Sequence, residues 1–459
     1  TLLCCNNSSV TGGTVLPVAP ISYGNTSAST ESPFDDPNGF KFGEEEDQNM
    51  IKCGSYVGNG TSNGPDITLG WEPQFIIFKN ATSGSENWFM YDAMRGIRQA
   101  GNDTQLGPNN DGQENSVHDR LDLRSNGFDI TTSDGSLNNN AHRIIYIAIR
   151  RPDGYVGKPA EAGTDVFSVV LGGASPAPQF RTGFPIDFAI EKVHQSTANW
   201  HAGSRLTGNE YVHPNLIDAK NDASWLFGAA DFNNGFAHTY YSTSSTAWSW
   251  KRHAGFDVLA YYGNGLAGRQ IPHSLNAVPE MIWSKPRNNS DHWKVYHKGL
   301  NGGTNPEQWY INLNSNLSNY SHSAIWNNTA PTSTHYTVGT DAGTNGSGST
   351  YMVLLFASVE GISKVGYYTG AGSSDKSIDL GFSPRFIFIK NAGAAGSWIV
   401  LDTVRGLGSG NDQFLSFHDA GGQGGSDNWV DLSGNVMVVK GGFSSTNSSG
   451  VNYIYYAHA

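Results

Sequence analysis

"YVGNGTSNGPDITLGWEPQFIIFK" spans Tyr56–Lys79, and "YYTGAGSSDKSIDLGFSPRFIFIK" spans Tyr367–Lys390. Both run through the same steps in the same order: a Gly-rich turn, a short apolar run, a Gly-aromatic-x-Pro corner, then an apolar strand that ends on Lys. The strand residues are β-branched and aromatic, which suits a pleated, half-buried surface. The Pro opens the strand, where its missing N–H costs no ladder bond. A phrase of this length written again marks copies of one module, so the repeat decides the fold.

The Pro-to-Lys strand anchors the other copies. "GWEPQFIIFK", "NAVPEMIWSK" and "GFSPRFIFIK" place Lys79, Lys285 and Lys390 six positions after Pro73, Pro279 and Pro384. The first two prolines are 206 positions apart and the last two 105. That spacing calls for a further copy near residue 180, where "GFPIDFAIEK" carries Pro185 and Lys192. A Trp follows each Lys after eight or nine positions: Trp88, Trp200, Trp293 and Trp398. It begins the next strand, the usual place for a buried aromatic anchor. Each copy closes on an apolar or aromatic strand: "IIYIAIR" (Ile144–Arg150), "AWSWKRH" (Ala247–His253), "YMVLLFA" (Tyr351–Ala357) and "YIYYAHA" (Tyr453–Ala459).

The repeat predicts an all-β chain of four tandem β-sandwich or jelly-roll-like modules of about 100 residues each, after an extended connector over residues 1–47. The modules are expected at 48–160, 161–253, 254–361 and 362–459, with the second and third divergent. A propeller is disfavoured, since its blades need only ~40–50 residues. The segment 1–47 is polar and rich in Pro, Gly and Ser, and reads as a connector from an upstream region.

Composition agrees. Among 459 residues, 56 are Gly, 12% are aromatic and only 15% are charged, which favours short strands and turns over helices and opposes disorder. A net charge of −12 with no Lys/Arg cluster argues against nucleic-acid binding. No apolar run approaches a membrane span. Cys4, Cys5 and Cys53 form neither a disulfide framework nor a zinc motif and read as free thiols. The triplets Asn59-Gly60-Thr61 and Asn327-Asn328-Thr329 are chance matches to the glycosylation signal in a chain so rich in Asn and Ser.

Catalytic and cofactor motifs do not emerge from the pattern. Asp92 and Asp402 share one slot, four residues after the Trp, but Ser204 and His297 fill it in the other copies and no second carboxylate recurs beside it. A structural ion pair is expected instead, Asp92 with Arg95 and Asp402 with Arg405. "GNGTSNG" and "GAGSSDK" lack the GK[ST] closure of a phosphate loop and read as turns. For the acidic run Glu44–Asp47 a solvated face is expected, with a bridging divalent cation such as calcium as the alternative; no cofactor is expected. "NPEQWYINLNSNLSNYSHSAIWNNT" (Asn305–Thr329) interleaves Trp309, Tyr310, Tyr320 and Trp326 with amides and hydroxyls. Flat rings beside hydrogen-bonding groups suit a glycan or receptor contact, and these four are the candidate contact residues.

"LLCCNNSSVTGGTVLP" and "ASTESPFDDP", followed by "GSYVGNGTSNG", "LGWEPQFIIFK", "YDAMRG", "NGFDI" and "IIYIAIR", resemble the tandem module of marine tailed-phage proteins, especially cyanophage tail fibres and other virion appendages. The likeness is strongest in the first and fourth copies. It implies a virion structural protein that is not an enzyme: the distal part of a fibre or similar appendage, projecting from the particle and adhering to the host. The implied partners are the chain itself as a homotrimer, other virion proteins, and a host surface glycan or protein, with no membrane insertion. The alternatives are a tailspike glycan depolymerase and a capsid-decorating or filament-forming protein.

Overall fold

The computed structural model describes residues 41–42 and 50–459, apart from 155, 174–176, 223–231, 239–242, 409 and 426. The connector expected over 1–47 therefore lies outside the described residues, Lys41 and Phe42 excepted. The chain divides into two compact units, Thr1–Lys41 and Phe42–Ala459.

The second unit is all-β and holds four sandwich modules in tandem, each built on one antiparallel sheet with the same strand order. In the first module the opening strand Ile51–Val57 pairs with the closing strand Arg143–Arg150, which pairs with the Pro–Lys strand Pro73–Asn80 and then the Trp strand Trp88–Asp92. The second module repeats this with Phe167–Leu171, Ser245–Trp250, Phe188–Val193 and His201–Ser204. The third uses Phe256–Tyr262, Thr350–Phe356, Met281–Pro286 and Lys294–His297. The fourth uses Ser363–Thr369, Asn452–His458, Phe386–Asn391 and Trp398–Asp402. The closing strand thus inserts between two strands made long before it.

A smaller sheet covers one face of each main sheet. Asp66–Thr68 pairs with Gly127–Ile130 in the first module, Phe180–Arg181 with Gly235–Phe236 in the second, Arg269–Pro272 with His335–Val338 in the third, and Lys376–Asp379 with Val436–Val439 in the fourth. Each module core lies between its two sheets. In the first, Phe78 meets Tyr91 and Phe128 edge-to-face at 5.9 and 5.6 Å; in the fourth, Tyr368 stacks on Tyr453 at 5.1 Å.

The corner before the Pro–Lys strand requires a left-handed residue. Gly70, Gly183 and Gly381 take it at φ 89°, 88° and 84°, and Asn276 takes it at φ 51° in the third module. Asn is the side chain that tolerates this region best, so "NAVP" replaces "GWEP" without loss of the corner.

The Gly-rich turns are held by a device the sequence reading missed. A short helix precedes the closing strand in three modules and ends on a fully buried Asn: Asn138, Asn345 and Asn447. Asn138 Nδ2 donates to Asn59 Oδ1 and to the Thr61 and Thr132 carbonyls, while its Oδ1 accepts from Asn59 N–H. Asn345 makes the matching set with Asn264, Leu266 and Gly339. Asn447 does so with Ser374, Val439, Lys440 and Ala371. A Tyr of the opening strand seals each helix end: Tyr56, Tyr261 and Tyr368 donate to the carbonyls of Leu137, Thr344 and Thr446.

Buried ion pairs fix the first module against its neighbours. Arg252 of the second module donates to both Glu72 oxygens at 2.8 and 2.9 Å and also reaches Asp187. Arg151, on the link out of the first module, bridges Glu72 at 3.2 Å and Asp257 of the third at 2.9 Å. The Arg252 and Arg205 guanidiniums outweigh burial and hold the Asp187 carboxyl below the usual range.

Candidate interaction surfaces

A main sheet has two faces, and only one is covered by its own small sheet. In the second, third and fourth modules the other faces meet each other in one shared core. Trp200, Trp293 and Trp398 lie there with 0–1% exposure, so these anchors bury between modules rather than within one. Phe388 stacks on Trp398 at 4.9 Å and meets Trp283 of the third module at 5.5 Å; Trp200 meets Phe417 of the fourth at 4.5 Å.

The three modules are joined in a ring by equivalent hydrogen bonds. Trp200 of the second donates Nε1–H to Asp419 O of the fourth, Trp398 of the fourth to Asn312 O of the third, and Trp293 of the third to His213 O of the second, each at 3.0 Å. The strand-end lysines follow the same circuit: Lys192 Nζ to Ala420 O, Lys390 Nζ to Asn316 O and Lys285 Nζ to Ile217 O, at 2.8–3.0 Å. The backbone N–H groups of Ala198, Gly396 and Asp291 donate to those same three carbonyls. Each lysine also caps its own hairpin, at Ala198, Gly396 and Asp291. All three lysines are fully buried, which pushes Lys390 down to about 7 and Lys192 and Lys285 down to about 8.

Among the described residues, the first module has the same face and no module upon it. Register fixes the equivalence: Ile149, Ile147 and Ile145 pair with Phe75, Ile77 and Lys79 as His458, Tyr456 and Ile454 pair with Phe386, Phe388 and Lys390. Ile454 and Tyr456 lie in the shared core, whereas Ile145, Ile147 and Ile149 are 37–41% exposed and Ile51 is 61% exposed. Trp88 is only half-buried. Lys79 caps its own hairpin at Glu86 O, but among the described residues no other module supplies a carbonyl to Lys79 Nζ or Trp88 Nε1.

The four candidate contact residues do not share a surface. Trp326 is 2% exposed inside the third module's core, beside Tyr296 and Tyr336. Its apolar ring sits on the helix Ser323–Trp326, whose buried side the polar sequence around it concealed. Trp309 is half-buried and packs against the shared core. Tyr310 and Tyr320 face each other across a strand pair, rings 5.7 Å apart, with Lys294 Nζ 5.2 Å above Tyr310. They form the surviving surface platform, with Tyr320 38% exposed.

The shared Asp slot holds ion pairs. Asp92 accepts from Arg95 N–H and Nε–H at 2.8 and 2.6 Å. Asp402 accepts the same pair from Arg405 at 3.0 and 2.7 Å, and Trp248 Nε1–H of the second module at 3.2 Å. A further titratable cluster lies in the second module, where buried Glu191 meets His201 Nδ1 at 3.1 Å beside Tyr211 and His213. Burial would raise the Glu191 carboxyl, but the hydrogen bond and charge of His201 help to outweigh it and hold it below the usual range; burial lowers His213 and His238. Among the described residues no group of three or more His, Cys, Asp or Glu is placed to hold a metal ion, and no helix is long and apolar enough to cross a membrane. Cys53 is a free, exposed thiol.

A family model matches residues 27–151 and 215–459. Its description is a domain of unknown function, DUF7483. Residues 1–26 are unmatched, as is the internal stretch 152–214, which runs from the end of the first module through the opening half of the second, where the repeat phrases drift. No curated protein matches the chain.

Proposed function

The chain belongs to the DUF7483 family, and we propose that it is a structural and adhesive component of a phage particle. In this reading it forms the distal part of a tail fibre or similar appendage, is exposed on the virion, and contacts the host surface and neighbouring virion proteins rather than cleaving a substrate. The observation that carries the reading is the ring of three modules closed on one core. It holds three copies of one module, with their loops, on a single core. Such repetition multiplies weak contacts, because each later contact is effectively intramolecular and gains of ~10²–10⁴ need no tight single site. The occupation of Asp92 and Asp402 by their arginines supports contact over chemistry. The net charge of −12 places the attraction in short-range stacking and hydrogen bonding, for which the Tyr310–Tyr320 platform is the candidate.

The test is to label intact particles with antibody to this chain, and to incubate purified chain with host cells and host polysaccharide. Label at appendage tips, with retention on cells and no shortening of the polysaccharide, is expected. Label spread over the capsid would favour a decorating protein, and shortened polysaccharide would favour a tailspike depolymerase; either overturns the reading. Substituting Tyr320→Ala, the exposed ring of the pair, is expected to reduce cell binding several-fold while leaving the melting temperature nearly unchanged.

A further inference from the structure

The face that the first module leaves open is the face that three of its sister modules close on one another. The protein therefore contains, within its own chain, a worked example of what that face packs against. We propose that the first modules of three separate chains assemble about a threefold axis, forming between chains the core that the second, third and fourth modules form within one.

The open face is complete in both its donor and its acceptor halves. On the donor side, Lys79, Trp88 and the Glu86 N–H occupy the places of Lys285, Trp293 and the Asp291 N–H, since Glu86 precedes Trp88 by two positions as Asp291 precedes Trp293. The acceptor loop is marked by an Asn whose side chain receives the Trp backbone N–H: Asn215 for Trp200 and Asn314 for Trp293, both at 3.1 Å. The first module has it as well, Asn109 for Trp88 at 2.9 Å. In the second and third modules the carbonyls two positions before and two after this Asn receive the neighbour's Trp and Lys: His213 and Ile217, Asn312 and Asn316; in the fourth the acceptors are the adjacent Asp419 and Ala420. By the same count, Gly107 and Asp111 are the acceptors in the first module. A unit that carries both halves on different edges makes head-to-tail contacts, and the geometry of such a contact decides whether it closes. Here the sister modules close at three.

The apolar part of the face fits the same partner. Ile51 holds the place of Phe167 and Phe256, and Cys53 that of Val169, Val258 and Val365, all deep in the shared core save the exposed first-module pair. Exposed isoleucines aligned on one sheet face are a contiguous apolar patch of the sort that marks an association site.

The test uses the full chain at micromolar concentration, with Cys4→Ser and Cys5→Ser so that Cys53 is the one thiol. Light scattering is expected to give the mass of three chains, and Cys53 is expected to react with a thiol reagent at least roughly tenfold more slowly than in a monomer, because closing the core removes its access to water. Ile147→Asp is expected to give a folded monomer with a fast Cys53. Ile51→Asp, at an edge of the same face, serves as the second variant should the first not fold. A wild-type monomer or dimer would overturn the proposal. So would a trimer that survives both substitutions in folded protein. A monomer with a slow Cys53 would also overturn it, by showing that the chain's own residues cover the face.

Discussion

The first and fourth modules share most of their sequence phrases, yet their main sheets end in different surroundings. "IIYIAIR" and "YIYYAHA" are both apolar on alternate positions of both faces, the pattern of a strand buried on two sides. In the fourth module both faces are buried: Tyr453 and Tyr455 in its own core, Ile454 and Tyr456 in the shared one. In the first, Ile144 and Ala148 are buried while Ile145, Ile147 and Ile149 are exposed. A strand's pattern reports what it packs against in the finished assembly, and a single chain shows only part of that.

The sharpest way to break the comparison is at the tryptophans. Trp398→Ala should destabilise the chain by ~3–5 kcal/mol, as expected for a large ring deleted from a full core. Trp88→Ala in monomeric protein should cost ~1 kcal/mol or less, as for other sites away from a packed core. Equal effects in denaturant melts would show that the two positions do not differ as described.

The ion pairs come next. Glu72→Gln leaves Arg252 and Arg151 buried with one anion fewer each, and should cost about 3 kcal/mol. The loss should fall on the first module's attachment, so protease sensitivity should rise near residues 150–153 while the ring stays intact. Nicks appearing equally within all modules would argue against a local role.

Asn447→Ala and Asn138→Ala should each cost ~1–3 kcal/mol, because each strands several buried turn carbonyls. Here the two modules should behave alike, since the clamp lies in each module's own core. A large difference between them would place the clamp under the influence of the open face.

Charge supplies the remaining tests, the first of them through pH. Burial lowers Lys390 to about 7 against about 10.5 in the unfolded chain. Between those values the unfolded state binds the extra proton, so stability rises as pH increases from about 7 towards 10.5; below about 7 the cost of burying the charge is fully present. The slope is at most ~1.4 kcal/mol per pH unit for this lysine. Lys390→Met should flatten it, measured as denaturant midpoints at pH 7 and pH 9.5. An unchanged slope would mean that Lys390 is not the titrating group. Asp92→Asn, at a partly exposed pair, should cost only ~0–1 kcal/mol.

What the sequence made legible was whatever a module does alone. The Pro–Lys spacing revealed the strand that pairs with the Trp strand, the corner glycines sit where "GWEP" and "GFSP" require them, and the Asp–Arg pairs form. What it concealed was relational. Asn138, Asn345 and Asn447 recur just before each closing strand, in "SLNNN", "GTNGSG" and "STNSSG", but a buried amide looks like any other Asn in a chain full of them. Trp326 lies near Tyr310 and Tyr320 in sequence, yet a one-turn helix points it inward. The lysines ended strands like ordinary surface residues; only the neighbouring modules' carbonyls explain their burial.

The ring also sets a condition on synthesis. The second module donates to the fourth, the fourth to the third and the third to the second, so no pair of modules satisfies the circuit. The closing strand of the fourth module, Asn452–His458, is made after the second and third modules and supplies Ile454 and Tyr456 to the common centre. Until it emerges, the nascent second and third modules display their apolar faces with nothing to close on. A message cut short before Asn452 should therefore leave the shared core unfinished and the product aggregation-prone, so that translation through the fourth module becomes a check on assembly.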